Sequence, residues 1–142
     1  MSLSYFWSYI YYLTQARSEY YVHSPFVYRL MCRCLPRRKR LRCESREALF
    51  ARLQEYIVQQ GIAPGLTRIP PAENPCEVFY GLPAGERTAV FVDLPHRDSG
   101  RESAWQTLCN DPDIALSIDL FRAGVVFPYL DMSKEHFCLR YF

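Results

Sequence analysis

Three histidines and six cysteines carry the most varied chemistry in this 142-residue chain. His96 has the richest setting: it follows the apolar run TAVFVDL, Thr88 to Leu94, with Asp93 before it and Asp98 after it. Strand ends are where α/β proteins gather ligands, and a neighbouring carboxylate raises the basicity of an imidazole. His96 and Asp93 are therefore the candidate site residues, set against a plainer reading of Pro95 to Gly100 as an ordinary polar loop. His23 precedes Ser24-Pro25, where fixing the start of a helix by hydrogen bonding accounts for it. His136 stands beside Phe137 in a strand pattern, packed or at an edge. Cys32-x-Cys34 with Cys43 departs from the usual C-x-x-C spacing of a zinc site. Cysteines 32, 34, 43, 76, 109 and 138 are therefore expected to be reduced, partly buried thiols, and no metal site is assigned. No two of the six glycines stand closer than four residues apart, so there is no G-x-G, and no hydrolase elbow or Walker loop is present.

The elements that must position these residues fall into two halves. Leu3, Phe6, Trp7, Ile10 and Tyr11 follow the stripe of an amphipathic helix. Ser24-Pro25 reads as an N-cap followed by proline at the first helical position, opening a second helix that Pro36 ends. A third helix begins near Ser45, carries Leu49, Phe50, Leu53, Tyr56 and Ile57 inward, and closes at Gly61. The four prolines between Ala63 and Pro75 mark a connector. Cys76 to Tyr80 reads as a short strand and Thr88 to Leu94 as a buried one. Ser99 to Asn110 is a helix with Ala104, Trp105 and Leu108 inward. Ile114 to Phe121, Val125 to Leu130 and Glu135 to Phe142 follow as an antiparallel meander. These runs divide the chain into a helical region 1–62, a proline-rich connector 63–87 and a strand-helix-strand region 88–142, expected to form one structural domain.

With 49% hydrophobic and 15% aromatic residues, the composition excludes disorder. The weakly polar stretch Leu3 to Ala16 is shorter than a membrane span of about 20 residues, and no basic residue precedes Arg17 as a secretory signal would require. A cytoplasmic protein is expected. The net charge of +2 conceals an asymmetry: residues 1–70 hold 11 Lys/Arg against 4 Asp/Glu, and residues 71–142 hold 6 against 11. Arg37 to Arg42 concentrate the positive half. They offer either a patch for nucleic acid or anionic lipid head groups or a solvated connection that offsets the acidic half.

Tyr5 to Leu13 followed by Val22-His23-Ser24-Pro25-Phe26-Val27-Tyr28 resembles the N-terminal extension of a bacterial group of class I S-adenosylmethionine-dependent methyltransferases with a V-H-S-P-F-V signature. Ala89-Val90-Phe91-Val92-Asp93 with His96, Ala104-Trp105, Ile118-Asp119-Leu120-Phe121 and Gly124-Val125-Val126-Phe127 resemble the C-terminal end of the same group. There the fifth strand ends in Asp-Asp and a hairpin reads roughly I-D-L-F-x-x-G-x-V-F. The two matches cover about half of the chain, in the family's order. The resemblance implies an α/β fold: an N-terminal helical layer plus a small mixed sheet resembling the later strands of a Rossmann-like methyltransferase.

Between the matched ends the family carries a glycine-rich acidic loop for S-adenosylmethionine, but here 27 residues separate Gly61 from Ala89. Each βαβ unit needs about 30, so the early strands do not fit. Gly81-Leu82-Pro83-Ala84-Gly85 is the nearest remnant of the loop and lacks its acidic residue, and Leu94 replaces the family's second acid. The leading expectation is a non-catalytic methyltransferase-like protein without cofactor. It would act by binding or self-association, as a homo-oligomer or beside a full-length methyltransferase. The alternatives are an active methyltransferase with a pocket near Asp93, Tyr80 and His96, and an anion-binding module using Arg37 to Arg42.

Overall fold

The computed structural model describes residues 3–16, 24–35 and 45–139, so His23, Arg37 to Arg42 and Cys43 lie outside the described residues. In chain order the elements are α1 (Leu3–Gln15), α2 (Pro25–Arg33), α3 (Arg46–Gln59), β1 (Leu66–Ile69), α4 (Pro75–Gly81), β2 (Ala89–Asp93), α5 (Ser99–Asn110), β3 (Ile114–Asp119), β4 (Ala123–Pro128) and β5 (Glu135–Cys138). The helix starts follow their caps. Ser24 Oγ accepts from the Val27 N–H with Pro25 in the first turn, and Ser45 Oγ accepts from the Ala48 N–H. Gly61, at φ +67°, follows α3 in the left-handed conformation that glycine adopts without penalty.

Two expectations fail between Ala63 and Tyr80. Cys76 to Tyr80 is helical, because Asn74 Oδ1 accepts from the Cys76 and Glu77 N–H groups and Pro75 occupies the first turn. That capping overrides the β preference of Val78, Phe79 and Tyr80. The connector in turn contains β1, four residues lying between its prolines and paired in parallel with β2 from Leu66 opposite Ala89 to Ile69 opposite Val92.

The five strands form one sheet in the order β1-β2-β4-β3-β5. β4 pairs antiparallel with both β2 and β3, while β1 pairs parallel with β2 and β5 with β3. The expected hairpin of β3 and β4 is present, but β5 does not extend an antiparallel meander. One edge of β3 is already taken by β4, so the returning chain passes to the other edge and there runs with β3.

Side chains alternate between two faces. Phe91, Leu116, Ile118, Val125 and Phe127 pack with Val27, Leu30, Leu49, Leu53 and Ile57 of α2 and α3. On the other face Val90, Val92 and Val126 meet Phe79 of α4 and Trp105 and Leu108 of α5. Gly124 faces Trp105 so closely that a Cβ there would lie 2.4 Å from the indole. Tyr12 and Ala16 bring the α1 end of the chain onto Phe121, in the turn between β3 and β4. Among the described residues no helix is long and apolar enough to cross a membrane.

Candidate functional site

The side-chain period of two places Ser117 and Asp119 of β3 on the face that carries α5. The parallel register sets His136 opposite Ser117 and Cys138 opposite Asp119. After β2 the chain turns through Leu94, at φ 48°, and delivers His96 to the same place. His96 Nδ1 lies 2.9 Å from Glu102 Oε2, and Nε2 lies 2.6 Å from Asp119 Oδ2. Phe121 stacks on the imidazole, with ring centroids 5.1 Å apart and planes 10° apart. Its φ of 71° places a bulky residue in the left-handed region, at a cost of roughly 1–2 kcal/mol. Two residues of positive φ therefore flank His96, the kind of local strain that persists only where surrounding contacts hold it.

α1 closes the site from above. Ser8 Oγ donates to Glu102 Oε2 at 2.8 Å, and the Tyr12 hydroxyl donates to the Leu139 carbonyl. Between α1 and α5 lies a cavity of about 630 Å³ whose aromatic walls are Trp7, Tyr11, Tyr12 and Trp105, with His96, Glu102, Asp119, His136, Cys109 and Cys138 as polar lining. Burial opposes charge on His96, but the hydrogen bond and charge of Asp119, with Glu102 behind them, outweigh it and raise the imidazole above its ordinary pKa. Burial pushes the thiols of Cys109 and Cys138 up to about 12. The pocket thus combines an imidazole of raised basicity, held between two acidic side chains, with two thiols whose acidity is suppressed by burial. Such a lining can hold a polar ligand and relay a proton between Glu102 and Asp119.

Asp93 does not take part. It is fully buried on the opposite face, in alternation with Phe91, where Arg68 Nε donates to Oδ2 at 2.6 Å, Arg68 Nη2 to Oδ1 at 3.1 Å and Arg46 Nη1 to Oδ1 at 3.2 Å. Neither of the carboxylates flanking His96 in sequence meets it: the period of the strand turns Asp93 to the other face, and Asp98 is engaged at the start of α5. Asp98 caps α5 by accepting from the Arg101 N–H at 2.9 Å. The guanidinium of Arg101 is buried and donates to the carbonyls of Asp93, Leu94, Glu73 and Pro70, fastening the end of β2 to the β1–α4 connection. Tyr80 is not beside Asp93; its hydroxyl donates to Asp111 Oδ2 at 2.5 Å, past the far end of α5.

Gly81 to Gly85 lead into the start of β2, at the opposite end of the strand from Asp93. His136 is exposed on the edge strand, as its pattern foretells, with Nδ1 2.6 Å from Ser117 Oγ. No pattern in the sequence assigns Glu102, Asp119 or Cys138 to a site. Asp119 shows only as part of the I-D-L-F hairpin pattern, and Glu102, six residues after His96, carries no signal beyond its place in the first turn of a helix. Comparison of the chain with protein-family models, curated proteins and solved structures finds no match.

Proposed function

We propose that this chain is a methyltransferase-like binding protein that transfers no methyl group, and that the cavity between α1 and α5 holds its ligand. The likeness to the late strands of a class I methyltransferase is supported by a strand ending in Asp93, the helix bearing Ala104-Trp105, and the β3–β4 hairpin inserted beside β2. The residues present do not fit S-adenosylmethionine in the way the resemblance implies. A cofactor loop belongs at the carboxyl end of a strand, whereas Gly81 to Gly85 lie at the amino end of β2 and hold Pro83 where amide donors would be needed. Asp93 is occupied by two arginines.

The observation that carries the binding reading is His96, held by Glu102 and Asp119 in the lining of an aromatic-walled cavity of about 630 Å³, a size in the range of small-molecule sites. Calorimetric titration with S-adenosylmethionine and S-adenosylhomocysteine tests the reading. No saturable heat is expected, and saturable micromolar binding overturns it in favour of an active methyltransferase.

Self-association is favoured by a separate observation. Leu3, Phe6, Ile10 and Leu13 of α1 are exposed on a helix whose other side is packed, and the basic and acidic halves of the sequence complement each other between copies. Sedimentation velocity is expected to give a dimer that Phe6→Ser and Ile10→Ser together convert to monomer. A monomer at all concentrations removes this reading and leaves a separate partner, such as a full-length methyltransferase, to cover α1.

A further inference from the structure

The strand pair β3–β5 brings together, in the floor of the same cavity, three side chains whose donor atoms converge: Asp119, which also holds His96, with His136 and Cys138. Asp119, His136 and Cys138 each offer one donor atom, and these atoms all lie within 4.8 Å of one another. The backbone enforces this. Cys138 is the direct partner of Asp119 in the parallel ladder, and His136, two residues earlier, points to the same face.

We infer that Asp119, His136 and Cys138 form a binding site for a borderline-soft divalent cation, Zn²⁺ foremost, with the fourth coordination position open to the cavity. Zinc bonds of roughly 2.0–2.3 Å put tetrahedral ligand atoms about 3.3–3.8 Å apart, and His136 Nε2 already stands 3.8 Å from Cys138 Sγ. The other ring nitrogen, Nδ1, is engaged by Ser117 Oγ at 2.6 Å. With the hydroxyl accepting, Nδ1 keeps its proton and Nε2 is left bare for the metal, the outer partner that metal-binding histidines regularly have.

Asp119 is oriented in the same manner: Oδ1 accepts from the Phe121 N–H at 2.8 Å and Oδ2 faces His96 Nε2 at 2.6 Å. Each carboxylate oxygen has two lone pairs, so a position remains for a cation. Carboxylate, imidazole and thiol together select zinc or cobalt over magnesium or calcium, which prefer all-oxygen cages. Binding breaks the Cys138 S–H bond, forms the metal–sulfur bond and releases the proton to solvent. Three protein ligands and one open position make a catalytic type of zinc geometry rather than a closed structural one.

The site stands independently of the methyltransferase-like reading, because cobalt titration and S-adenosylmethionine titration report on different groups. The test uses the full chain carrying Cys32→Ser and Cys43→Ser, so that thiols outside the site do not compete, stripped of metal and titrated with Co²⁺ alone. One equivalent is expected to produce thiolate-to-cobalt charge transfer in the near ultraviolet together with the intense visible bands of tetrahedral cobalt. Zn²⁺ should displace the cobalt and bleach both, and Mg²⁺ should not.

Cys138→Ser is expected to remove the charge-transfer band, and Ser117→Ala to weaken binding about 10-fold. His136→Asn, at an exposed position, should abolish the visible bands while the circular dichroism stays unchanged, which separates loss of a ligand from loss of fold. Absence of saturable cobalt binding, octahedral-type weak bands, or a charge-transfer band that survives Cys138→Ser overturns the inference.

Discussion

Asp93 and Asp119 are the same residue type at the same kind of place, the last position of a buried strand, on strands that run in the same direction. Both side chains are almost wholly withdrawn from water. They nevertheless have opposite fates. Asp93 points toward α3 and is neutralised by Arg46 and Arg68, whose guanidinium groups carry their charge at every accessible pH. Asp119 points toward α1 and α5 and is met by His96, whose charge depends on pH, by one backbone N–H and by an open cavity. Which layer a strand-end carboxylate faces therefore decides whether it serves as a fixed structural ion or as a group free to meet a ligand. The alternation of the strand makes that choice, not proximity in sequence.

The sharpest way to break the comparison is to remove the charge on each side in turn. Asp93→Asn takes away the carboxylate that Arg46 and Arg68 share, leaving Arg68 only the exposed Glu47 at 3.1 Å, and a loss of about 3 kcal/mol is expected, at the low end for a broken buried pair because of that second partner and because both arginines retain some contact with water. Urea denaturation reads this as a lower midpoint at unchanged slope. A loss smaller than 1 kcal/mol would mean that solvent already screens the pair, and Asp93 would no longer count as structural. Asp119→Asn should cost less, about 1 kcal/mol, since the amide oxygen still accepts from the Phe121 N–H. The same substitution is expected to remove tight cobalt binding, which Asp93→Asn leaves intact.

The contrast also marks what could be read in advance. Caps and apolar runs were legible: Ser24-Pro25, Ser45, Gly61, the strand ending in Asp93 and the helix Ser99–Asn110 stand where their local chemistry puts them. Asn74-Pro75 carries the same signal as Ser24-Pro25 against the β-rich composition of Val78 to Tyr80, and in the folded chain the cap prevails and α4 forms. β1 has only four residues, too few for a period to register. The site lay further out of reach. Its groups come from the β2–α5 turn, α5, β3 and β5, and no local pattern encodes the parallel pairing that sets Cys138 opposite Asp119. His96 is legible because it sits at a strand end, but the carboxylates that meet it are Glu102 and Asp119, brought by α5 and the sheet, and not its sequence neighbours Asp93 and Asp98.

A third carboxylate near His96 gives the smallest and most easily signed effect. Asp98 is half-exposed, accepts from the Arg101 N–H at the start of α5 and lies 3.0 Å from Arg97 Nε. The backbone hydrogen bond, followed by that from Arg97, holds its carboxyl below the ordinary value of 3.8. A carboxylate lowered on folding contributes stability that is fully present above its unfolded pKa and disappears as pH falls through the lower folded value. Asp98→Ala is therefore expected to cost about 1 kcal/mol at neutral pH, the usual worth of an N-cap, with little from the solvent-screened ion pair. The difference between variant and parent should shrink as the pH is taken below 3.8. Urea midpoints measured across that range check the sign. A gap that stays constant would place the contribution of Asp98 in the shape of its side chain rather than in its charge, leaving Asp93 and Asp119 as the charged strand-end carboxylates whose partners differ.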